Sequence, residues 1–545
     1  MFDALFTTTT EYKKLSHALS GKGACALFGL PASGRAQVYA ALCRQLDKPL
    51  CIVTPGEAEA TRFAADLNTL GIPAAVFPAR DYVLRPIEGT AREYEYRRLA
   101  VLGELVGGRL RAVAVPAEAL TQFTTPKEDF CANTRTLHAG DTLLRDDLLA
   151  ALFGAGYTRR AQVDGPGQFS VRGDIVDIFA PDQKMPVRME FWGDEIDTLH
   201  TFDLTTQRRE DAIDKFYLSP AREVLFGKPA DAAEQLRAFL AKQRGKKKTA
   251  MADCMAADLD LLDGGAVPVN MDKYLAVRYP HPATVLDYFD DPILVAEEPA
   301  SIREADRATA YRRGEELKSL ILDGVLCAGL DNLYADPSYL WSKTGHYRTI
   351  CAENFARSMP DQPLKDIINT PAHTLPAWNG EVAGLLEDLK PLCDAGYTVT
   401  LLAGTDRAAA GLARDLRDKG ILVTTDAAAA PAAGLVQVLA GHLSAGCEFP
   451  FAKYALLTGR AFGETSSQKK KRKKTARVDA AEVARFNADL DEGLSKIQVE
   501  QRQEQGLVNK TGKKYSKTYK SIFVGNICTF FNLLCFLAAL LLLSA

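Results

Sequence analysis

The chain lacks paired cysteines. Its eleven cysteines stand singly, at Cys25, Cys43, Cys51, Cys131 and onward, with no C-x-x-C among them. That spacing argues against a zinc site and against a disulfide framework, and fits reduced thiols in a cytosolic protein. An excess of one charge is also lacking. The 66 Lys and Arg against 69 Asp and Glu leave a net charge of −3, which neither favours nor excludes nucleic acid. Residues 1–13 are polar and threonine-rich with no apolar core, so no secretory leader is expected there. What remains is ordinary: 545 residues, 47% hydrophobic and 25% charged, describe several α/β domains with ample material for cores.

The organising stretch is Gly29-Leu-Pro-Ala-Ser33-Gly34-Arg35-Ala36. Two glycines five positions apart follow an apolar run at 24–28 and precede a helical pattern over 37–46, the skeleton of a phosphate-binding loop. A working loop cradles phosphates with backbone N–H groups, reaches the β/γ oxygens with lysine, and holds Mg²⁺ with a hydroxyl. Here Arg35 replaces the lysine with a bulkier planar fork, and Ala36 has no oxygen for magnesium. Gly29, Ser33, Gly34, Arg35 and Ala36 are therefore expected to keep the shape of a nucleotide loop and to have lost ATP and Mg²⁺. By itself the pattern is equally that of a plain strand-to-helix turn.

Downstream, strands are predicted at 50–53, 74–77 and 111–115, an amphipathic helix at 57–70 and a polar surface helix at 93–105, an alternation that implies a parallel sheet. From about Thr136 the texture becomes antiparallel, with a predicted strand at 187–192 whose Val187, Met189 and Phe191 oppose Arg188, Glu190 and Trp192. The motifs Gly156-Tyr157, Gly167-x-Phe169-x-x-Arg172-Gly173-Asp174-Ile-Val-Asp177-Ile-Phe179 and Arg188-x-Glu190-Phe191-x-x-Asp194-Glu195-Ile196 fill this segment. They resemble the UvrA-interaction domain shared by UvrB and the transcription-repair coupling factor family, Mfd. The resemblance implies that UvrB keeps the phosphate-binding lysine and that Mfd proteins carry a UvrB-like module without it. Arg35 and Ala36 thus side with Mfd.

A strand ending in Glu297-Glu298-Pro299 stands where a hydrolysing relative would place acidic residues for magnesium and water; it is read as a relic. Lys246-Lys-Lys is read as a solvated turn, and residues 304–320 as a charged surface helix. Residues from about Cys351, with predicted strands at 398–402, 421–424, 434–440 and 454–458, resemble the third domain of Mfd. The six cations at 469–474 are expected to stay solvated, touching DNA only weakly and non-specifically. The polymerase-binding domain and motor domains that follow such a linker in Mfd are not found here, so RNA polymerase is not an expected partner.

Residues 494–510 and the tail resemble the cytoplasmic N-terminus and first membrane helix of cation-pumping P-type ATPases, although the phosphorylatable D-K-T-G-T is missing. Residues 522–545 carry no charge, long enough as a helix for a hydrocarbon core of roughly 30 Å. Lys510, Lys513, Lys514, Lys517 and Lys520 precede them and would hold the preceding chain in the cytoplasm. The junction is expected to be an artefact or a truncated gene.

The expected fold is α/β: a degenerate P-loop (RecA-like) parallel-sheet domain, an inserted antiparallel UvrA-interaction domain, a further small α/β domain and a C-terminal transmembrane helix. The expected divisions are 1–125, the insertion 126–215, the return 216–348, a small domain 349–467, a basic linker 468–490, an ATPase-like segment 491–521 and the membrane helix 522–545. The expected function is non-catalytic docking of UvrA in transcription-coupled nucleotide excision repair, with no catalytic residue, metal or cofactor. Arg159, Arg160, Arg172 and Arg188 are the candidate partner-binding cations, with Phe179 and Trp192 as aromatic anchors. Each arginine is also readable as an ordinary strand charge. A UvrB-like ATP-dependent helicase and a pump fragment are the alternatives.

Overall fold

The computed structural model describes residues 7–87, 92–355, 363–378, 382–430 and 432–459. All of the described residues fall within one compact unit of the chain. The cations at 469–474, the ATPase-like segment 491–521 and the expected membrane helix 522–545 all lie outside the described residues. Among the described residues no helix is long and apolar enough to cross a membrane.

A seven-stranded parallel sheet forms the body. Its spatial order is Leu364–Asn369, Gly23–Phe28, Arg348–Glu353, Ile293–Glu297, Leu50–Thr54, Ala112–Pro116 and Ala74–Val76. Its inner strands are apolar throughout rather than alternating, because helices cover both faces: every residue of Leu50–Thr54 and Ala112–Pro116 is buried. The division expected at residue 349 falls inside this sheet, because Arg348–Glu353 and Leu364–Asn369 flank the first strand in parallel register. The small domain therefore begins after Asn369.

The insertion is a six-stranded sheet in the order Arg209–Ala212, Glu195–Phe202, Val187–Trp192, Ile175–Phe179, Gln168–Arg172, Thr158–Arg159. All its pairings are antiparallel except the last, a two-residue parallel edge. Val187, Met189 and Phe191 face a core with Leu148, Leu152 and Phe169, as their alternation predicts. A two-stranded ribbon, Lys215–Leu218 with Arg135–His138, lies at its base. The small domain has Thr398–Leu402 at its centre, parallel to Val436–Leu439 and Tyr454–Thr458.

One turn expected from the sequence is absent. Lys246, Lys247 and Lys248 lie in the first turn of the helix Gly245–Asp263, because Met251, Met255 and Leu262 bury one helical face beneath them.

Candidate functional site

The phosphate-loop remnant is not an open cradle. The helix after the first strand runs Ala32–Leu46, five residues earlier than the apolar pattern predicts. Pro31 sets φ at −66° for helix entry, Ala32 and Ala36 are strong helix formers, and the Arg35 N–H donates to the Pro31 carbonyl at 2.9 Å. The Arg35 N–H, one of the backbone donors that a phosphate loop would aim at a ligand, is thus spent inside the helix. At the other end of the loop, Gly29 adopts φ +85°, and a Cβ there would lie 2.8 Å from the Asn369 side chain. The Gly29 carbonyl accepts from Ala372 N–H at 3.0 Å, so the start of the small domain straps the loop.

Arg35 turns inward. Its side chain is only 3% exposed, with Nη2 3.0 Å from Glu297 Oε2 and Nη1 2.9 Å from Glu298 Oε1. Tyr39, one helical turn on, donates its hydroxyl to Glu297 Oε1 at 2.6 Å. Burial works against the Arg35 charge, but Glu297, Tyr39 and Glu298 outweigh it and hold the guanidinium pKa up. Burial raises the Glu297 carboxyl, and Arg35 and the Tyr39 hydroxyl pull it back. The acidic pair at the strand end is therefore engaged with the chain's own cation. Tyr39 was not singled out from the sequence; its spacing of four from Arg35 was the available signal.

The outer side of the same helix is covered by the small domain. Ser33 Oγ donates to the Gly446 carbonyl at 3.4 Å, and a Cβ on Gly34 would fall 2.8 Å from Cys447 Sγ. Ala36, Leu443, Cys447, Phe449 and Tyr454 share one buried cluster. Asp66, on the next helix, accepts from Ser444 N–H at 2.8 Å and Ser444 Oγ at 2.6 Å. Gly34 thus serves close packing between domains rather than approach to a phosphate.

The second site is the solvent-facing side of the insertion sheet. Asp177 is fully buried and sits opposite Ser170 on one side and Arg188 on the other. It binds both candidate arginines: Arg172 Nη2 at 2.6 Å, and Arg188 through Nε at 2.7 Å and Nη2 at 3.0 Å. Arg188 also donates to the Gln207 carbonyl at 3.2 Å and stacks 4.7 Å over the Phe202 ring. Its Asp177 hydrogen bond holds its pKa up. Arg188 is therefore nearly enclosed, while Arg172 keeps 49% of its side chain exposed.

Register places Arg172, Ile175 and Glu190 in one cross-strand row, with Trp192 two residues further on the same face. Trp192 is 81% exposed at the hairpin tip. Phe179 is not an anchor. Alternation puts it on the face of Asp177, but Val163, Phe202 and Leu204 cover that end and leave it buried. Arg159 and Arg160 are exposed on the edge strand and its end, where they line a groove with residues of the α/β body, and neither is bonded to Asp177. The sequence reading therefore grouped four arginines that the structure divides into two pairs. Asp177, the carboxylate joining one pair, was visible only as part of a motif.

Among the described residues no cluster of His, Cys, Asp or Glu is suited to hold a metal ion. The thiols of Cys25 and Cys51 are pushed up to about 12, chiefly by burial, which leaves them unreactive.

Comparison with known proteins agrees with this geometry. A family model described as the UvrB interaction domain matches residues 136–224, the insertion with its flanking ribbon. The transcription-repair-coupling factor of Bacillus subtilis (strain 168) is 26% identical over 459 residues, covering 82% of this chain and 39% of the relative. That of Staphylococcus haemolyticus (strain JCSC1435) is 25% identical over 478 residues, covering 85% and 40%. The chain spans about two fifths of the length of the curated relatives it matches. It is similar to transcription-repair-coupling factors, and within that likeness it carries a match to the UvrB interaction domain.

Proposed function

We propose that this chain is a cytoplasmic docking module of transcription-coupled nucleotide excision repair, recruiting UvrA through the solvent face of its insertion sheet. The observation that carries the reading is the presentation of Arg172 and Trp192 on one face, inside the segment matched by the interaction-domain model. A buried carboxylate fixes the Arg172 guanidinium, so little rotamer freedom remains to be lost when a partner carboxylate meets it. Trp192 supplies apolar area beside it, the arginine-and-aromatic pairing typical of interface hot spots. Arg188 orients Asp177 rather than touching the partner. The motor activity that the resemblance attributes to full-length coupling factors is not assigned to this chain.

Immobilised full-length chain is expected to retain purified UvrA without added nucleotide. Arg172→Glu and Trp192→Ala should each weaken retention about tenfold or more. Unchanged binding by both variants would remove this face from the proposal.

The nucleotide fold acts here as a scaffold. Its residues do not fit Mg-ATP: the cation is tied to Glu297 and Glu298, and position 36 has no hydroxyl. This also speaks against the helicase alternative. Calorimetry at millimolar Mg-ATP is expected to register no binding, and Arg35→Lys with Ala36→Thr should not restore it. Saturable heat in the wild type that Arg35→Ala abolishes would reverse the assignment.

A further inference from the structure

Arg159 and Arg160 take no part in the Asp177 face, and their surroundings describe a different surface. They line a groove of about 580 Å³ where the insertion meets the α/β body, together with Arg222, Phe226, Val267 and Val269. That volume is within the range of built binding clefts. Neither guanidinium of the pair has an ion-pair partner among the described residues. Arg222 adds a third cation, its Nη1 3.1 Å from the Tyr96 hydroxyl. The acidic residue lining the groove, Asp272, is already held by Arg80 at 2.7 and 3.0 Å. Val267 and Val269 are 56% and 39% exposed, an apolar strip beside the cations.

The groove also contains a free sheet edge. Thr158–Arg159 is the last strand of the insertion sheet. Thr158 N–H donates inward to Gly167 at 2.9 Å and Arg160 N–H to Phe169 at 2.8 Å. Backbone groups alternate along a strand, so the N–H and C=O of Arg159 point away from the sheet. An added strand would pair there.

We propose that this groove binds an extended acidic peptide as an added strand, its carboxylates on Arg159 and Arg160 and its apolar side chains against Val267 and Val269. Charge, the unpaired edge and the valine strip each match one part of such a peptide. A single nucleic-acid strand would use the cations but has no backbone donor and acceptor for the edge.

The test uses the full chain and a fluorescein-labelled peptide of alternating Glu and Leu, followed by fluorescence polarisation. The peptide should bind, and its Lys-for-Glu counterpart should not. Arg160→Glu and the double variant Arg159→Glu/Arg160→Glu should weaken binding, the latter by about tenfold, the scale expected when accessible ion pairs become repulsive. Arg159→Pro removes the outward donor without removing a sheet hydrogen bond, and should weaken binding while leaving the thermal midpoint near that of the wild type. Trp192→Ala should bind the peptide normally, which separates this groove from the UvrA reading. Equal or tighter binding of labelled (dT)12, lost in the same variants, would make the groove a nucleic-acid channel. Peptide binding indifferent to Arg160→Glu would place the site elsewhere.

Discussion

Replacing Arg35 by alanine is expected to destabilise the protein by about 3–5 kcal/mol, the scale of a buried ion pair broken from one side. Both Arg35 and Glu297 are nearly inaccessible to water, and Glu297 would keep the Tyr39 hydroxyl but lose its ion-pair partner. An uncompensated charge in that position loses its hydration without a cation in return. The loss should be partly recovered in Arg35→Ala/Glu297→Gln, since the second change removes the stranded charge. Urea unfolding of the two single variants and the double variant measures this coupling. Strict additivity would mean that the plugged remnant is not an energetic unit. The same experiment separates a structural Arg35 from a ligand-binding one, because the effect should appear with no nucleotide present.

Glu95→Gln should destabilise the fold by about 3 kcal/mol at neutral pH, with an acid dependence of definite sign. Glu95 belongs to a buried network joining the insertion's return to the body. Its Oε1 accepts from Glu223 N–H at 3.0 Å and its Oε2 from Arg92 at 2.9 Å. Glu223 in turn binds Arg98 at 2.6 and 3.2 Å, and Arg98 stacks 4.1 Å over Phe77. Burial would raise the Glu95 carboxyl, but Arg80, Arg222 and Arg92 outweigh it and hold the pKa down at about 2. A carboxyl depressed on folding stabilises fully above its unfolded value, and that stabilisation fades as pH falls toward the folded one. The gap between wild type and Glu95→Gln should therefore be widest near neutrality and shrink to about 1 kcal/mol at pH 3. A gap that is constant with pH would show that the carboxylate's charge is not what holds the junction.

Much of the frame was legible because it rests on local periodicity. The runs near 24–28, 50–53 and 111–115 are apolar throughout, as strands covered on both faces must be, and they lie side by side in the parallel sheet. Alternation in Val187–Trp192 assigned both faces of the insertion correctly. Arg35 and Ala36 marked a departure from phosphate chemistry in single letters. At the phosphate-loop remnant and at Phe179 the sequence misled because a partner lies elsewhere along the chain. The helix begins at Ala32 because Pro31 sets its entry and the small domain packs over its first turn. Phe179 is covered by Val163 and Phe202, which no spacing rule connects to it.

The sequence by itself determined the layered α/β body, the antiparallel insertion and the missing lysine and hydroxyl, because each is written in residue type or in a period of a few residues. Only the tertiary structure decided that Arg35 closes on Glu297 and Glu298, that Asp177 gathers Arg172 and Arg188, and that Arg159 and Arg160 belong to another surface. The reason is range. Hydrophobic periodicity acts within one element, whereas a charge finds its partner through space, here across more than two hundred and fifty residues of chain between Arg35 and Glu298.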